Sequence, residues 1–492
     1  MSRTQTFYWH DYETFGTDPR RDRPVQFAGI RTDFDFNIVD EPLVIYCKPA
    51  SDCLPHPEAC LITGITPQFA EQRGVCEAEF IRLIHWQLAQ PNTCTLGYNS
   101  LRFDDEVTRN CLYRNFDDPY AREWQNGNSR WDLIDVVRAA RALRPEGIVW
   151  PVNENDEPSF RLDQLTQANN IAHEAAHDAL SDVYATLAIA KLVKQAQPKL
   201  YRFLLQHRVK IEAFNLLQLG SFKPVVHISG KYPAVKNCLA VVLPVCKHPV
   251  NANGVIVYDL SVDPEPMLSL SVEEIQQRIF TATAQLPEGV ARIPLKTVHI
   301  NKCPVLAPVS VIRLEDAQRL EIDLALCYSN IDKIKAAVGL SEKLMAVFSG
   351  QGYAEQDAAG SEHGRTDPDL EIYSGGFFSD IDKKLMTKIR ATLPEQLAKS
   401  VFKFTDSRLP EMLFRYRARN YPQTLNADEQ LKWNGFCVDR LTGRQAGSGI
   451  LLADYFKRLE ELRNAGNVNT EIIHSLETYA REKMHLLGMQ SV

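Results

Sequence analysis

Over residues 4–11, 25–32 and 43–47, apolar and polar positions follow a strand-like pattern rich in β-branched and aromatic side chains, with short polar turns between them. A polar–apolar stretch of helical spacing follows around 70–90, then a fourth strand, TCTLGYN, over 93–99. Helical spacing returns at 104–114, 131–143, 162–169 and 178–196. Three meandering strands followed by alternating helix and strand predict an α/β domain, a mixed sheet flanked by helices, over residues 1–197. From 198 to 350 the texture changes. Short apolar runs such as PVVHIS, CLAVVLPV, GVIVYDL and LKTVHI are broken by Pro, Gly and Asn, which predicts a small barrel with helices inserted or appended. Residues 351–376 carry little apolar material and many Gly and acidic residues, and they read as a linker. The helical pattern from 377 to 492 predicts a third domain, and no internal repeat is present.

Composition changes this picture little. Hydrophobic residues make up 45% of the 492 positions and charged residues 24%, ordinary values for a globular chain of about three domains. No segment reaches the roughly 18 uninterrupted apolar residues of a membrane span. The N-terminus runs into strand-like sequence without a basic-then-apolar leader, and the eleven cysteines form no C-x-x-C pair. Reduced thiols in a cytoplasmic protein are the expectation.

Charge changes it more. The formal net charge is −7, yet residues 194–236 hold eight Lys/Arg (Lys194, Lys199, Arg202, Arg208, Lys210, Lys223, Lys231, Lys236) against Glu212 alone. Residues 399–421 hold Lys399, Lys403, Arg408, Arg415, Arg417 and Arg419 against Asp406 and Glu411. Clustered cations in an acidic protein suit a bounded track for a polyanion; solvated helix faces are the plainer reading of the same pattern. For Arg415, Arg417 and Arg419 two readings stand, contacts to a nucleic acid and internal salt bridges.

The candidate chemistry lies in three short motifs. Asp11 and Glu13 in WHDYETFG sit at the end of the first strand, where residues i and i+2 share a face, so both carboxylates can converge on one cation. Asp104, in GYNSLRFDDE, follows the fourth strand; it suits either a third carboxylate beside that pair or a helix N-cap. His177 and Asp182 in HDALSD are five apart, about 140° around a helix, so one helical face does not present both. A loop position for His177, a cap at Asp178 and Asp182 one turn into the helix is the simpler arrangement. Carboxylates are hard ligands for Mg²⁺ or Mn²⁺, and histidine is the natural base near neutral pH. Any one of these motifs is more often a surface accident or a structural residue. Their conjunction points to phosphodiester hydrolysis.

These residues closely resemble the DEDDh 3′→5′ exonuclease superfamily, and the likeness extends through ITGITP, NSRWDLIDVVRAARALRPEGI, SFRLDQLT and HDALSDVYATLAIAKLVK. Beyond the first domain, VVHISGKYPA, VHINKCPVLAP, GGFFSD and LFRYRARNYP resemble the bacterial exodeoxyribonuclease I family, so that the resemblance covers essentially the whole chain. It implies a ribonuclease H-like exonuclease domain with a mixed sheet, an SH3-like barrel domain and a C-terminal helical domain. It also implies two Mg²⁺ per active site, with Mn²⁺ able to substitute, held by Asp11, Glu13, Asp104 and Asp182, and His177 as general base. Release of 5′-mononucleotides from a single-stranded 3′ end, in DNA repair and recombination, is the implied activity.

For strand binding, a basic groove and aromatic faces are needed. Tyr120 and Trp124 are four apart and share a face if helical; core packing is the alternative. Arg109, Arg138 and Arg161 flank these aromatics in sequence, between the second and third motifs, and Thr14 and Phe15 follow the metal pair, where they can position the terminal nucleotide together with Glu13. His299 and Lys302 are candidate contacts in the second domain. The resemblance further implies a single-stranded DNA-binding protein as partner, its acidic tail in a basic pocket for which Arg144 and Lys223 are candidates. A monomer is the expected state. Two competing functions remain, a 3′→5′ exoribonuclease and a non-catalytic strand clamp. The long C-terminal region argues against the first, and an acidic cluster that repels phosphate argues against the second.

Overall fold

The computed structural model describes residues 5–173, 176–349, 367–445, 447–466 and 468–489. The chain divides into two compact units, one formed by 1–129, 174–184 and 359–492, the other by 130–173 and 185–358.

In the first unit, strands β1 (Thr6–Thr14), β2 (Pro24–Thr32), β3 (Leu43–Tyr46) and β4 (Thr93–Gly97) lie in the order β3-β2-β1-β4. β1 pairs antiparallel with β2 and parallel with β4, the mixed sheet expected from the pattern. Because β1 is central, it is almost wholly covered, unlike a strand with one wet face. Its even-numbered Tyr8 and Tyr12 join Phe27, Phe80, Ile84, Val107 and Leu112 in a core under helices Glu77–Leu88 and Asp104–Arg114. On the odd side Phe7 stacks on Phe34 and meets Trp9, whose indole N–H donates to Thr32. Asp11 and Glu13 continue that odd face.

The strand reaches Thr14, three residues beyond its expected end. The helical stretch expected at 70–90 is broken into Pro57–Thr63, Pro67–Arg73 and Glu77–Leu88. Prolines open the first two, where a missing N–H costs nothing, and glycines 64 and 74 end them.

The C-terminal helices belong to this unit. Phe15, Val25, Leu54 and Ile65 share one core with Leu441, Tyr455, Leu459, Ile473 and Leu476. Of the expected linker, residues 351–366 lie outside the described residues, whereas Asp367 and Asp369 are buried. They are held in a carboxylate–guanidinium network. Arg415 bridges Asp367 and Asp369, Arg419 bridges Asp369 and Asp52, Arg440 reaches Asp367 and Asp52, and Arg23 joins Asp52 to Glu77. Arg417 pairs with Glu429. The alternating arginines therefore serve internal ion pairs.

The second unit holds strands β6 (Val225–Ile228), β7 (Leu239–Lys247), β8 (Gly254–Asp259), β9 (Leu295–His299) and β10 (Val305–Pro308), the unit boundary falling in β5 (Ser129–Asp132). Their order is β10-β6-β7-β8-β9, antiparallel throughout, the small barrel-like sheet expected from the broken apolar runs. None of the eleven cysteines forms a disulfide. Among the described residues no helix is long and apolar enough to cross a membrane.

Candidate active site

β1 supplies the first two carboxylates. Asp11 opposes Ala28 and Glu13 opposes Gln26 on β2, and the register shifts between Glu13 and Thr14, where the strand leaves the sheet. Asp104 does not cap its helix: Phe103 occupies the N-cap, and Asp104 Oδ1 instead accepts the Tyr12 backbone N–H at 3.0 Å. That bond joins the third acid, 3% exposed, to the strand residue between the first two. The Thr108 hydroxyl lies 2.9 Å from both the Tyr12 hydroxyl and the Asp104 carbonyl, tying the helix's first turn to the same strand. Leading into that turn, Asn99 takes a left-handed conformation (φ 64°) that Asn tolerates better than most residues.

His177 lies in the exposed loop before helix Ala179–Ala196, and Asp182 lies within its first turn, the arrangement expected from their spacing. Asp178 accepts the Ser181 backbone N–H at 3.1 Å, as a cap does. Ligand atoms of Glu13, His177 and Asp182 lie within 4.8 Å of one another. Burial, together with Asp104, Glu13, Asp182 and Asp178, raises the Asp11 carboxyl well above the usual range. Burial, then Asp182, Asp104 and Asp178, pushes Glu13 up to about 9. Two like charges about 4 Å apart repel by roughly 4 kcal/mol at an effective dielectric near 20. A cluster so short of positive charge, with hard oxygen donors, suits divalent cations.

One contributor escapes a reading of periodicity. Gln26, 1% exposed, sits inside an apolar strand, and its Nε2 donates to Asp178 Oδ1 at 2.9 Å. The only trace of it in the sequence is a polar residue interrupting VQFAGI.

The remaining candidates are distributed unevenly. In the first unit, Thr14 donates to the Gly16 carbonyl, while the Phe15 side chain is 3% exposed and packed in the core shared with the C-terminal helices. Its N–H donates to Arg23 O and its carbonyl accepts from His56 N, so Phe15 shapes the loop from within. Tyr120 and Trp124 do not share a helical face. They flank 3₁₀ turns, and Asn126 breaks the path at φ 56°. Trp124 is 67% exposed, and both rings line a cavity of about 450 Å³ with Phe377, Phe378, Lys383 and Arg390. Arg109 is buried, paired with Glu106 and Glu123 beneath the Tyr120 ring.

Arg138, Arg161, His299, Lys302, Arg144 and Lys223 belong to the second unit. Arg138 pairs with Asp135 beside the Phe160 ring, and the more exposed Arg161 pairs with Asp163. His299 is lowered to about 4 by burial and by Lys302, His248 and Lys296, so it is uncharged at neutral pH. Lys302 and Lys223 are exposed. Arg144 donates to the Val311 carbonyl and pairs with Asp316.

Comparison with known proteins defines the class first: residues 8–190 match the exonuclease family model. Residues 208–350 match the exonuclease I SH3-like domain, and 366–483 the exonuclease I C-terminal domain. Exodeoxyribonuclease I of Haemophilus influenzae is 46% identical over 99% of this chain and 100% of its own length. The Escherichia coli protein is 49% identical over 87% of this chain and 88% of its own. Among solved structures, exonuclease I of Methylocaldum szegediense is 52% identical (TM-score 0.92), covering 98% of this chain and 100% of that one. A zinc-bound E. coli complex with single-stranded DNA is 46% identical (TM-score 0.91), and an ExoI/SSB-Ct complex 45% (TM-score 0.88), each with the same coverage. This chain belongs to the exodeoxyribonuclease I family.

Proposed function

We propose that the protein is a single-strand-specific 3′→5′ exodeoxyribonuclease releasing 5′-mononucleotides and acting in DNA repair and recombination. The carrying observation is the convergence of Asp11, Glu13, Asp104 and Asp182 beside His177. Asp11, Glu13 and Asp182 would hold one cation, and Asp11 with Asp104 a second; Mg²⁺ fits their hard oxygens and Mn²⁺ would replace it. Two bound cations stabilise the attacking and leaving oxygens of an in-line displacement. His177 takes the proton from the attacking water, for which its exposed loop position leaves it accessible. Glu13 and Thr14, at the strand's end, border the 3′-terminal nucleotide. Trp124 and Tyr120 offer faces on which bases stack, and the adjoining cavity accommodates a base.

Arg138, Arg161 and Lys302 are the phosphate contacts we assign to the second unit. His299, being uncharged, contributes a hydrogen bond there. Arg109 acts indirectly, by supporting the Tyr120 ring. The single-stranded DNA-binding protein is the proposed partner, its acidic tail meeting Arg144 and Lys223. Eleven cysteines without a disulfide support a cytoplasmic location, and the protein is assigned as a monomer.

The decisive experiment is product analysis with Mg²⁺ on 5′-labelled single-stranded DNA, beside the same strand blocked at its 3′ end, a duplex and an RNA of matching sequence. Mononucleotide release from the open DNA strand alone is expected. Preference for RNA would make the protein an exoribonuclease, and binding without cleavage would leave a clamp.

A further inference from the structure

Gln26 lies on β2 opposite Glu13, and its side-chain amide is spent on the segment that follows His177. Nε2 donates to Asp178 Oδ1 and also lies 3.2 Å from the Tyr46 hydroxyl; Oε1 accepts the Ala179 backbone N–H at 3.3 Å. Asp178 in turn accepts from Ser181 N through its side chain and from Asp182 N through its carbonyl. A single buried amide thus grips both residues after His177 from the strand beside Glu13. His177 itself has φ 68°, a backbone region that residues with a Cβ hold only where their surroundings over-determine it.

We propose that Gln26 is a positioning residue for the hydrolysis: it fixes the loop that presents the His177 imidazole to the site, without touching substrate. The inference rests on the reading of His177 as general base. The residue type follows from the partners. The position requires a donor toward Asp178 and an acceptor toward Ala179 in one side chain. Glutamate would set a second carboxylate against Asp178, and methionine would fill the volume while leaving both partners unsatisfied.

A buried glutamine can also be plain structural stitching, and a double-mutant cycle separates the two roles. Gln26→Met is expected to lower kcat by about 10²-fold with KM little changed, the scale of a small misplacement of a reacting group. In the His177→Ala background it is expected to cost almost nothing more. Amide hydrogen exchange at Ala179, Ser181 and Asp182 is expected to speed up in Gln26→Met without substrate. An equal loss in both backgrounds, or unchanged exchange, would overturn the proposal. Should Gln26→Met fold poorly, Asp178→Ala removes the same hydrogen bond from the loop side and enters the same cycle. Wild-type turnover in His177→Ala alone would overturn the general-base reading instead, and exchange would still decide whether Gln26 orders the loop.

Discussion

In the proposed mechanism, Asp11 is the residue on which the chemistry turns. It feels Asp104, Glu13 and Asp182 at once. Asp11→Ala is expected to abolish hydrolysis while leaving single-strand binding mostly intact in a filter or anisotropy assay, since it removes a metal ligand and no groove contact. His177→Ala is expected to lower turnover by about 10²–10⁴-fold while cation binding persists; calorimetric Mn²⁺ titration beside single-turnover kinetics separates the two. Glu13, raised to about 9 chiefly by burial, has a pH consequence. A carboxyl raised in the fold favours the folded state below its unfolded value and forfeits that stability as pH climbs toward the folded one. Without divalent cations the melting temperature should therefore fall between about pH 5 and about pH 9, and Mn²⁺ should restore most at the upper end. Equal Mn²⁺ shifts across that range would contradict the coupling.

At the scale of elements, the site is three termini brought together by the sheet: the end of β1, the start of the Asp104 helix and the start of the Asp182 helix. Left-handed Asn99 leads into the second of these. A β-branched residue there pays about 1–2 kcal/mol for the left-handed backbone, so Asn99→Val should lower both melting temperature and kcat, while Asn99→Gly is tolerated.

Much of this was legible. The i, i+2 spacing of Asp11 and Glu13 and the five-residue interval from His177 to Asp182 each dictate a local geometry, and that geometry is present. Asp104 was ambiguous because a helix start rewards an acid whether or not it binds metal, and the N-cap at Phe103 and the Tyr12 N–H bond show that it does not cap. Tyr120 and Trp124 misled because an i, i+4 interval means a shared face only in an α-helix, and between them lies only the 3₁₀ turn Ala121–Glu123, ended by non-helical Trp124. Gln26 stayed hidden because its partners lie 152 and 153 positions away.

For the whole molecule, the same reason explains the basic stretch around Arg415, Arg417 and Arg419. Composition shows the cations but not Asp52 and Asp369, 367 and 50 positions from Arg419, which absorb two of its contacts. Burial by itself would raise the Asp52 carboxyl, but Arg419, Arg23 and Arg440 outweigh it and hold it well below the usual range. Glu77 is likewise held down to about 2, burial being overcome by Arg114 and Arg23. Removing one partner leaves buried charges uncompensated, so Asp52→Ala should cost about 3–5 kcal/mol in chemical denaturation. Carboxyls lowered in the fold lend stability above their unfolded values and lose it as pH falls through the folded ones. The network should thus fail between about pH 4.5 and about pH 2, with acid unfolding beginning at higher pH in the variant.

Asp367 and Asp369, buried at the start of the described segment 367–445, make one more outcome concrete. Guanidinium clamps and the shared core of Phe15 and Tyr455 join the C-terminal helices to the nuclease half. Two polypeptides, one ending at 349 and one beginning at 367, should therefore find each other when co-expressed and purify as an active pair, as the halves of a split enzyme do.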